Sequence, residues 1–203
     1  MQNAILECLS RDSRLQPLLD SFPFPSYSSP SSDLFVDLLR SIVGQQLSVK
    51  AAQTIYDRFM GLFPEKIADA GYIMSLSDDA LRQVGLSRQK IAYVRNVAVF
   101  FSGIQADPPP WESYDDESII RTLTEIKGVG TWTVQMLLMF SLNRPDVFPV
   151  GDLGIQTAMC RLYGLESQGK ALHSAMAAIA ESWRPYRSYA CFYLWNWKDL
   201  PVK

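Results

Sequence analysis

Apolar residues recur every three or four positions along most of the chain, the spacing of one face of an α-helix. Many of these stretches follow Ser or Asp, residue types that cap helix N-termini. The pattern predicts helices after Ser48 and Ser77 and over residues 34–46, 88–101, 118–126, 131–142, 152–162, 170–183 and 187–197. No stretch alternates between apolar and polar over more than a few residues, so we predict an all-α fold.

Two stretches lack this helical spacing. Residues 23–32 are rich in proline and serine, and residues 107–111 read DPPPW. Such composition is typical of connectors on the surface. We therefore expect both to join helical parts of the molecule.

Composition limits the classes of function. The chain has 203 residues and a net charge of −2, whereas most proteins that bind nucleic acids are basic. Any contact with DNA must therefore be local. No apolar stretch is long enough to cross a membrane, and no signal peptide is visible, so we expect a cytoplasmic protein.

Cysteine and histidine usage restricts the metal chemistry. Three cysteines lie far apart and cannot supply four thiolates to an iron–sulfur cluster or a structural zinc. The single histidine, His173, lies in an alanine-rich helix, where we expect a surface or hydrogen-bonded residue. We therefore expect no required cofactor.

A glycine-rich turn between two predicted helices carries the first functional signal. Residues 126–132 read IKGVGTW, so Gly128 and Gly130 flank Val129, and the next helix begins near Thr131. Main-chain N–H groups at such a helix start bind phosphate without any basic side chain. By itself, the same turn also suits a plain helix–helix connection.

Four motifs in order make the interpretation specific. The turn is followed by residues 148–152 (FPVGD), and this pair resembles the helix-hairpin-helix DNA glycosylase superfamily. Residues 41–48 (SIVGQQLS) and 183–190 (WRPYRSYA) are similar to DNA-3-methyladenine glycosylase II. The resemblance implies a two-lobed fold, with lobes at residues 33–142 and at 1–32 plus 143–203. It also implies an active site in the cleft between them.

The resemblance assigns the catalytic role to Asp152. A carboxylate beside the sugar C1′ stabilises the positive charge that grows as a glycosidic bond breaks. Asp152 also lies at a helix start, where the helix dipole favours its negative charge and the residue acts as a cap. Bifunctional members carry a lysine, which forms a Schiff base, at the position of Trp132. A tryptophan side chain cannot form this bond. The resemblance therefore implies base hydrolysis without strand cleavage.

Other residues are assigned to substrate and DNA by the same resemblance. An aromatic pocket for a cationic base is implied, although each side chain could instead pack in the core; its predicted members are Trp132, Trp195, Met136 and Tyr189. The residues predicted to bind DNA are Gly128, Val129, Gly130, Thr131, Gln45, Gln46, Leu47, Arg187 and Ser188. Gln46 or Leu47 is the expected wedge that fills the gap left by a flipped base.

The family also implies a monovalent cation, Na⁺ or K⁺, on main-chain oxygens of the hairpin. These would be the carbonyl groups of Thr124, Ile126 and Val129. The predicted partner is double-stranded DNA with a damaged base, bound by a monomer. Two other functions stay open at this point, a non-catalytic DNA-binding module and a glycosylase for deaminated or oxidised bases. The ordered motifs disfavour a helical scaffold for other proteins.

Overall fold

The computed structural model describes residues 1–26, 33–103 and 110–198, and these residues form helices and no β-strand. The predicted all-α fold is confirmed. No helix within these ranges combines the length and apolar character that a membrane span requires. The helices are α1 Gln2–Leu9, α2 Gln16–Ser21, α3 Leu34–Gly44, α4 Val49–Met60, α5 Ala70–Ser75, α6 Asp78–Gln83, α7 Arg88–Ser102, α8 Asp116–Thr124, α9 Thr131–Phe140, α10 Leu153–Tyr163, α11 Gly169–Ala180 and α12 Arg187–Lys198.

The chain divides into two compact units, Ser31–Leu137 and Met1–Pro30 together with Leu138–Lys203. In the first unit, α7 packs against α3, α5 and α6, and α3 packs against α4. The division falls within α9, whereas the predicted lobe boundary is residue 142. Of the two predicted connectors, 23–32 and 107–111, most residues lie outside those described.

The second unit is built around α10 and α12, which pack closely against each other. Its core includes Trp183 and Tyr193, each at most 1% exposed. Burying two such large rings supplies several kcal/mol of hydrophobic stabilisation, about 25 cal/mol per Å² of apolar surface. The packing of α10 on α12 brings together residues that are far apart in sequence.

Side-chain caps start the helices that matter for the site. Asp33 accepts a hydrogen bond from the Val36 amide, and Asp115 accepts one from the Ser118 amide at 2.8 Å.

Helix α3 ends at Gly44, two residues before the predicted end, because Gln46 adopts a φ of +58° that no α-helix accommodates. The predicted helix over 170–183 also ends early, at Ala180, and continues as a 3₁₀ turn over Glu181–Trp183.

Candidate active site

The Asp152 carboxylate is fixed at the start of α10. Tight turns lead to it, since the Asp152 amide donates to the Pro149 carbonyl at 2.9 Å. Oδ1 of Asp152 then accepts the Ile155 amide at 2.9 Å, which caps the helix as expected. The same oxygen accepts the indole Nε1–H of Trp195, also at 2.9 Å. Two donors and a helix N-terminus therefore stabilise a negative charge at this position.

Aromatic rings surround Trp195. Its ring is stacked with that of Phe140 at a centroid distance of 5.9 Å and an interplanar angle of 24°. Phe192 packs edge-on against both rings. Phe140 is 50% exposed, so part of this aromatic surface faces solvent. The carboxylate thus lies next to a partly exposed group of aromatic rings. Among these rings, only Trp195 was predicted as a pocket residue.

A glycine allows α12 to approach the carboxylate. A Cβ atom at Gly154 would lie 3.1 Å from Asp152 Oδ1, Trp195 Cδ1 and Lys198 Cδ. These contacts are tighter than ordinary van der Waals packing, so Gly154 keeps the helices close. The thiol of Cys191 is fully buried nearby, and its pKa is raised by burial and by the charge of Asp152.

Two residues predicted to contact DNA, Arg187 and Ser188, bond to the segment that leads to Asp152. Ser188 has no exposed surface, and its hydroxyl accepts the Val147 amide at 2.9 Å and donates to the Arg144 carbonyl at 2.7 Å. Arg187 donates from Nε to Asp146 Oδ1 at 2.7 Å. The Ser188 hydroxyl therefore belongs to an internal hydrogen-bond network, and a contact of Ser188 with DNA stays a prediction. A phosphate contact by Arg187 stays a prediction.

The predicted pocket residue Tyr189 is also buried, at 7% exposed. Its ring packs against Phe24 at 5.4 Å and Tyr186 at 6.3 Å. Burial, and then the charge of Tyr186, raise the pKa of its phenol. The side chain therefore supports the core of its unit, and a contact with substrate stays a prediction.

The glycine-rich hairpin, residues 126–131, is held against α7. Gly128 has a φ of +105°, and a Cβ there would lie 2.3 Å from the Tyr93 ring, so only glycine fits. Gly130 does not have a positive φ. A Cβ atom added to Gly130 would lie more than 4 Å from every described residue other than its two neighbours in the chain. The Asn96 side-chain amide donates to the Lys127 carbonyl at 2.9 Å. Tyr93 and Asn96 were not predicted, although they are spaced along one face of α7.

The hairpin leads directly into α9. Val129 is 5% exposed and anchors the turn in the core. The first bond within the helix runs from the Val134 amide to the Gly130 carbonyl at 3.2 Å. The amides of the first turn, which begins at Thr131, therefore have no carbonyl within the helix to bond. A helix start of this kind is a general anion site, and a phosphate contact here stays a prediction.

An open groove of about 450 Å³ lies in the same unit as the hairpin. Its lining residues are Ser41, Gly44, Gln45, Gln46, Leu47 and Trp132. Trp132 is 45% exposed and Leu47 is 38% exposed. The structure thus brings together three residues predicted to bind DNA, Gln45, Gln46 and Leu47, and the predicted pocket residue Trp132. Met136 lies one turn after Trp132 on α9 and is half-buried.

The monovalent cation expected on main-chain oxygens of the hairpin stays a prediction. The Ile126 carbonyl accepts the Val129 amide at 2.9 Å, and a carbonyl oxygen has a second lone pair for a cation. Thr124 is the last residue of α8, where helix carbonyls lack partners in the helix. Among the described residues, no group of three His, Cys, Asp or Glu side chains could hold a metal ion.

Comparison with known proteins identifies the family. Residues 39–185 match the model of the HhH-GPD superfamily base excision DNA repair proteins. DNA-3-methyladenine glycosylase 1 of Schizosaccharomyces pombe is 33% identical over 184 residues, covering 87% of this chain and 77% of the relative.

Solved structures agree. A 3-methyladenine DNA glycosylase of S. pombe in complex with abasic DNA has a TM-score of 0.84 at 29% identity, covering 99% of this chain and all of that one. A DNA-3-methyladenine glycosidase of Bacillus halodurans has a TM-score of 0.82 at 35% identity, covering 96% of this chain and 88% of that one. The fold, the hairpin and the matched sequence together show that the chain belongs to the HhH-GPD superfamily of base excision DNA repair proteins.

Proposed function

We propose that this protein is a monofunctional DNA glycosylase of the DNA-3-methyladenine glycosylase II type, which removes N-alkylated purines from duplex DNA. One observation carries the proposal: the Asp152 carboxylate is held by two donors beside a partly exposed aromatic group. The family match and relatives named for 3-methyladenine support it. A cleft between two lobes as the place of the reaction stays a prediction.

The reaction needs stabilisation of a positive sugar. The C1′–N bond breaks with its electron pair leaving on the base, and positive charge develops on the sugar. Asp152 stabilises that charge, and water then bonds to C1′ and loses a proton. An alkylated purine is already cationic, so it leaves as a neutral base and needs no general acid. The product is an abasic site in an uncut strand.

Aromatic side chains account for the preference for cationic bases. A positive purine is attracted to the face of a tryptophan by about 0.5–2 kcal/mol. Trp195 bonds to Asp152, and its ring is stacked with that of Phe140, which is half exposed. A neutral oxidised base would instead need donors and acceptors placed to match its edge, so this aromatic surface favours alkylated bases.

Separate parts of the unit Ser31–Leu137 would bind the DNA. The first-turn amides of α9 would bind a phosphate, and the space over Gly130 lets the strand approach the main chain. Gln46 or Leu47, exposed in the groove, would fill the gap left by the flipped base. A Na⁺ or K⁺ ion on the hairpin carbonyls would stabilise the same turn. Trp132 stands where bifunctional members carry lysine, so no Schiff base forms.

Base release from methylated duplex DNA tests the proposal. We expect the protein to free 3-methyladenine and 7-methylguanine, detected by chromatography, and Asp152→Asn to slow release by about a hundred- to a thousandfold. DNA binding by this variant should persist. Asp115→Asn is the matched control, because Asp115 caps α8 as Asp152 caps α10.

Three results would contradict parts of the proposal. No base release by the wild-type protein would favour a non-catalytic DNA-binding module. Release at the wild-type rate by Asp152→Asn would remove Asp152 from the reaction. Covalent trapping of the DNA with borohydride would overturn the monofunctional assignment.

A further inference from the structure

We propose that Gln156 and His173 form a hydrogen-bonded relay that positions Asp152, a role assigned from the geometry of α10 and α11. The Gln156 side chain donates from Nε2 to the Val150 carbonyl at 3.0 Å. The same nitrogen lies 3.0 Å from Nε2 of His173. The inference rests on the proposed function, because it takes Asp152 as the catalytic carboxylate.

The bond to Val150 decides where the hydrogens lie. A carbonyl oxygen only accepts, so the Gln156 amide must present its nitrogen to it. The second hydrogen of that nitrogen then points to His173, whose Nε2 must accept it. With Nε2 as the acceptor, the ring hydrogen of this tautomer lies on Nδ1, and His173 fixes the orientation of the Gln156 amide.

The relay ends at the turn that places the carboxylate. Val150 lies two residues before Asp152, in a stretch shaped by bonds from the Val150 amide to Phe148 and from the Asp152 amide to Pro149. Gln156 lies one helical turn after Asp152, so its side chain ties this turn back to α10. Without the tie, the Ile155 cap and the Trp195 bond would still hold the carboxylate, but the turn before it would lose a bond to α10.

A displacement of the carboxylate would lower the chemical rate rather than DNA affinity, since catalysis depends on the position of the reacting groups to within about 1 Å. Gln156 and His173 are each half-buried and are not assigned to DNA or to the base. They are therefore positioning residues, and they should affect kcat while leaving KM nearly unchanged.

Two variants of Gln156 test the tie. In single-turnover base release from methylated duplex DNA, we expect Gln156→Leu and Gln156→Glu to be slower by about tenfold, since neither can donate to Val150. The DNA dissociation constant should stay within about twofold of wild type. Thr157→Ala is the control, because Thr157 is exposed, follows Gln156 and bonds only to Leu153 of its own helix in the contacts seen. Wild-type rates in both Gln156 variants would overturn the proposal.

A pair of His173 variants covers the case in which the Gln156 variants do not fold. His173→Leu removes the acceptor and should slow release by about threefold. His173→Gln offers an amide oxygen at a similar distance and should restore the rate to within about twofold. Equal rates in the two variants would contradict the relay, because a purely structural role gives no reason for this rescue.

Nuclear magnetic resonance separates this inference from the proposed function. His173 is the single histidine of the chain, so its ring nitrogens give one set of signals. We expect a protonated Nδ1, and a change of both ring signals in Gln156→Leu, with faster amide exchange at Asp152. If the wild-type protein releases no base but shows these signals, the proposed function fails and the relay stands. A proton on Nε2 would refute the relay whether or not base is released.

Discussion

At the scale of single residues, the two glycines of the hairpin have different reasons to be there. Gly128 is required by the fold, because its φ is +105° and a Cβ would overlap the Tyr93 ring. Gly130 is not required by any described neighbour. The sequence alone does not distinguish the two glycines, whereas the structure gives a steric reason for Gly128. The space over Gly130 instead suits a DNA strand that approaches the first turn of α9.

Alanine substitution should separate these two roles. We expect Gly128→Ala to lower the free energy of unfolding by about 2–4 kcal/mol, since either the ring or the backbone must move. Gly130→Ala should leave stability within about 0.5 kcal/mol and weaken DNA binding about tenfold by blocking the strand. Urea unfolding and DNA titration measure the two quantities. Equal losses of stability in both variants would contradict this difference.

The residue scale also shows where sequence reasoning ends. Asp152 and Trp195 were each predicted, Asp152 as a helix cap and Trp195 from its motif. Their mutual hydrogen bond was not, because 43 residues separate them and only the packing of α10 on α12 joins them. The internal bonds of Ser188 were not predicted for the same reason, since its partners Arg144 and Val147 come from a distant segment.

At the scale of elements, α7 supports two regions assigned to DNA. Lys90 donates from its ammonium to the Val43 carbonyl at 2.7 Å, close to the end of α3 and the groove. Burial lowers the pKa of Lys90. Tyr93 and Asn96, farther along α7, contact Gly128 and Lys127 of the hairpin. One helix therefore fixes both the expected wedge and the expected phosphate site.

Removing one contact of α7 should loosen the hairpin without unfolding the unit. We expect Asn96→Ala to lower stability by about 1 kcal/mol and to weaken DNA binding about fivefold, because the Lys127 carbonyl loses its donor. Gln53→Ala is the control, since the Gln53 amide bonds only within α4, to Asp57, in the contacts seen. Thermal unfolding and DNA titration give both values. Unchanged DNA affinity in Asn96→Ala would show that DNA binding does not depend on the bond from Asn96 to Lys127.

Helix positions were largely predictable because caps and apolar spacing agree within each helix. The starts of α3, α4, α6 and α7 follow the predicted caps, each of which accepts an amide hydrogen bond. The short helices α1, α2 and α5 were not individually predicted, since six to eight residues hold too few apolar repeats. In the structure, α2 packs against α12, α5 packs against α7, and α1 packs against the 3₁₀ turn over Glu181–Trp183.

At the scale of the whole molecule, charge opposes DNA binding. The chain carries a net charge of −2 at pH 7 and has a pI near 5.4, so its overall field repels phosphate. Attraction must come from oriented amides and a few nearby cations. Amides release no counterions when they bind a phosphate, so the affinity should depend weakly on salt.

Lys127 is the exposed cation that lies in the hairpin itself. If its ammonium pairs with the phosphate bound by α9, Lys127→Gln should reduce the magnitude of the slope of log K against log salt by about 1. Lys170→Gln makes the same change of charge at the exposed start of α11 and should leave that slope unchanged. Binding titrations at several salt concentrations give both slopes. Because main-chain amides would still hold the phosphate, Lys127→Gln should retain measurable DNA affinity at low salt. A complete loss of DNA binding would show that the Lys127 side chain, rather than the main chain, binds the strand.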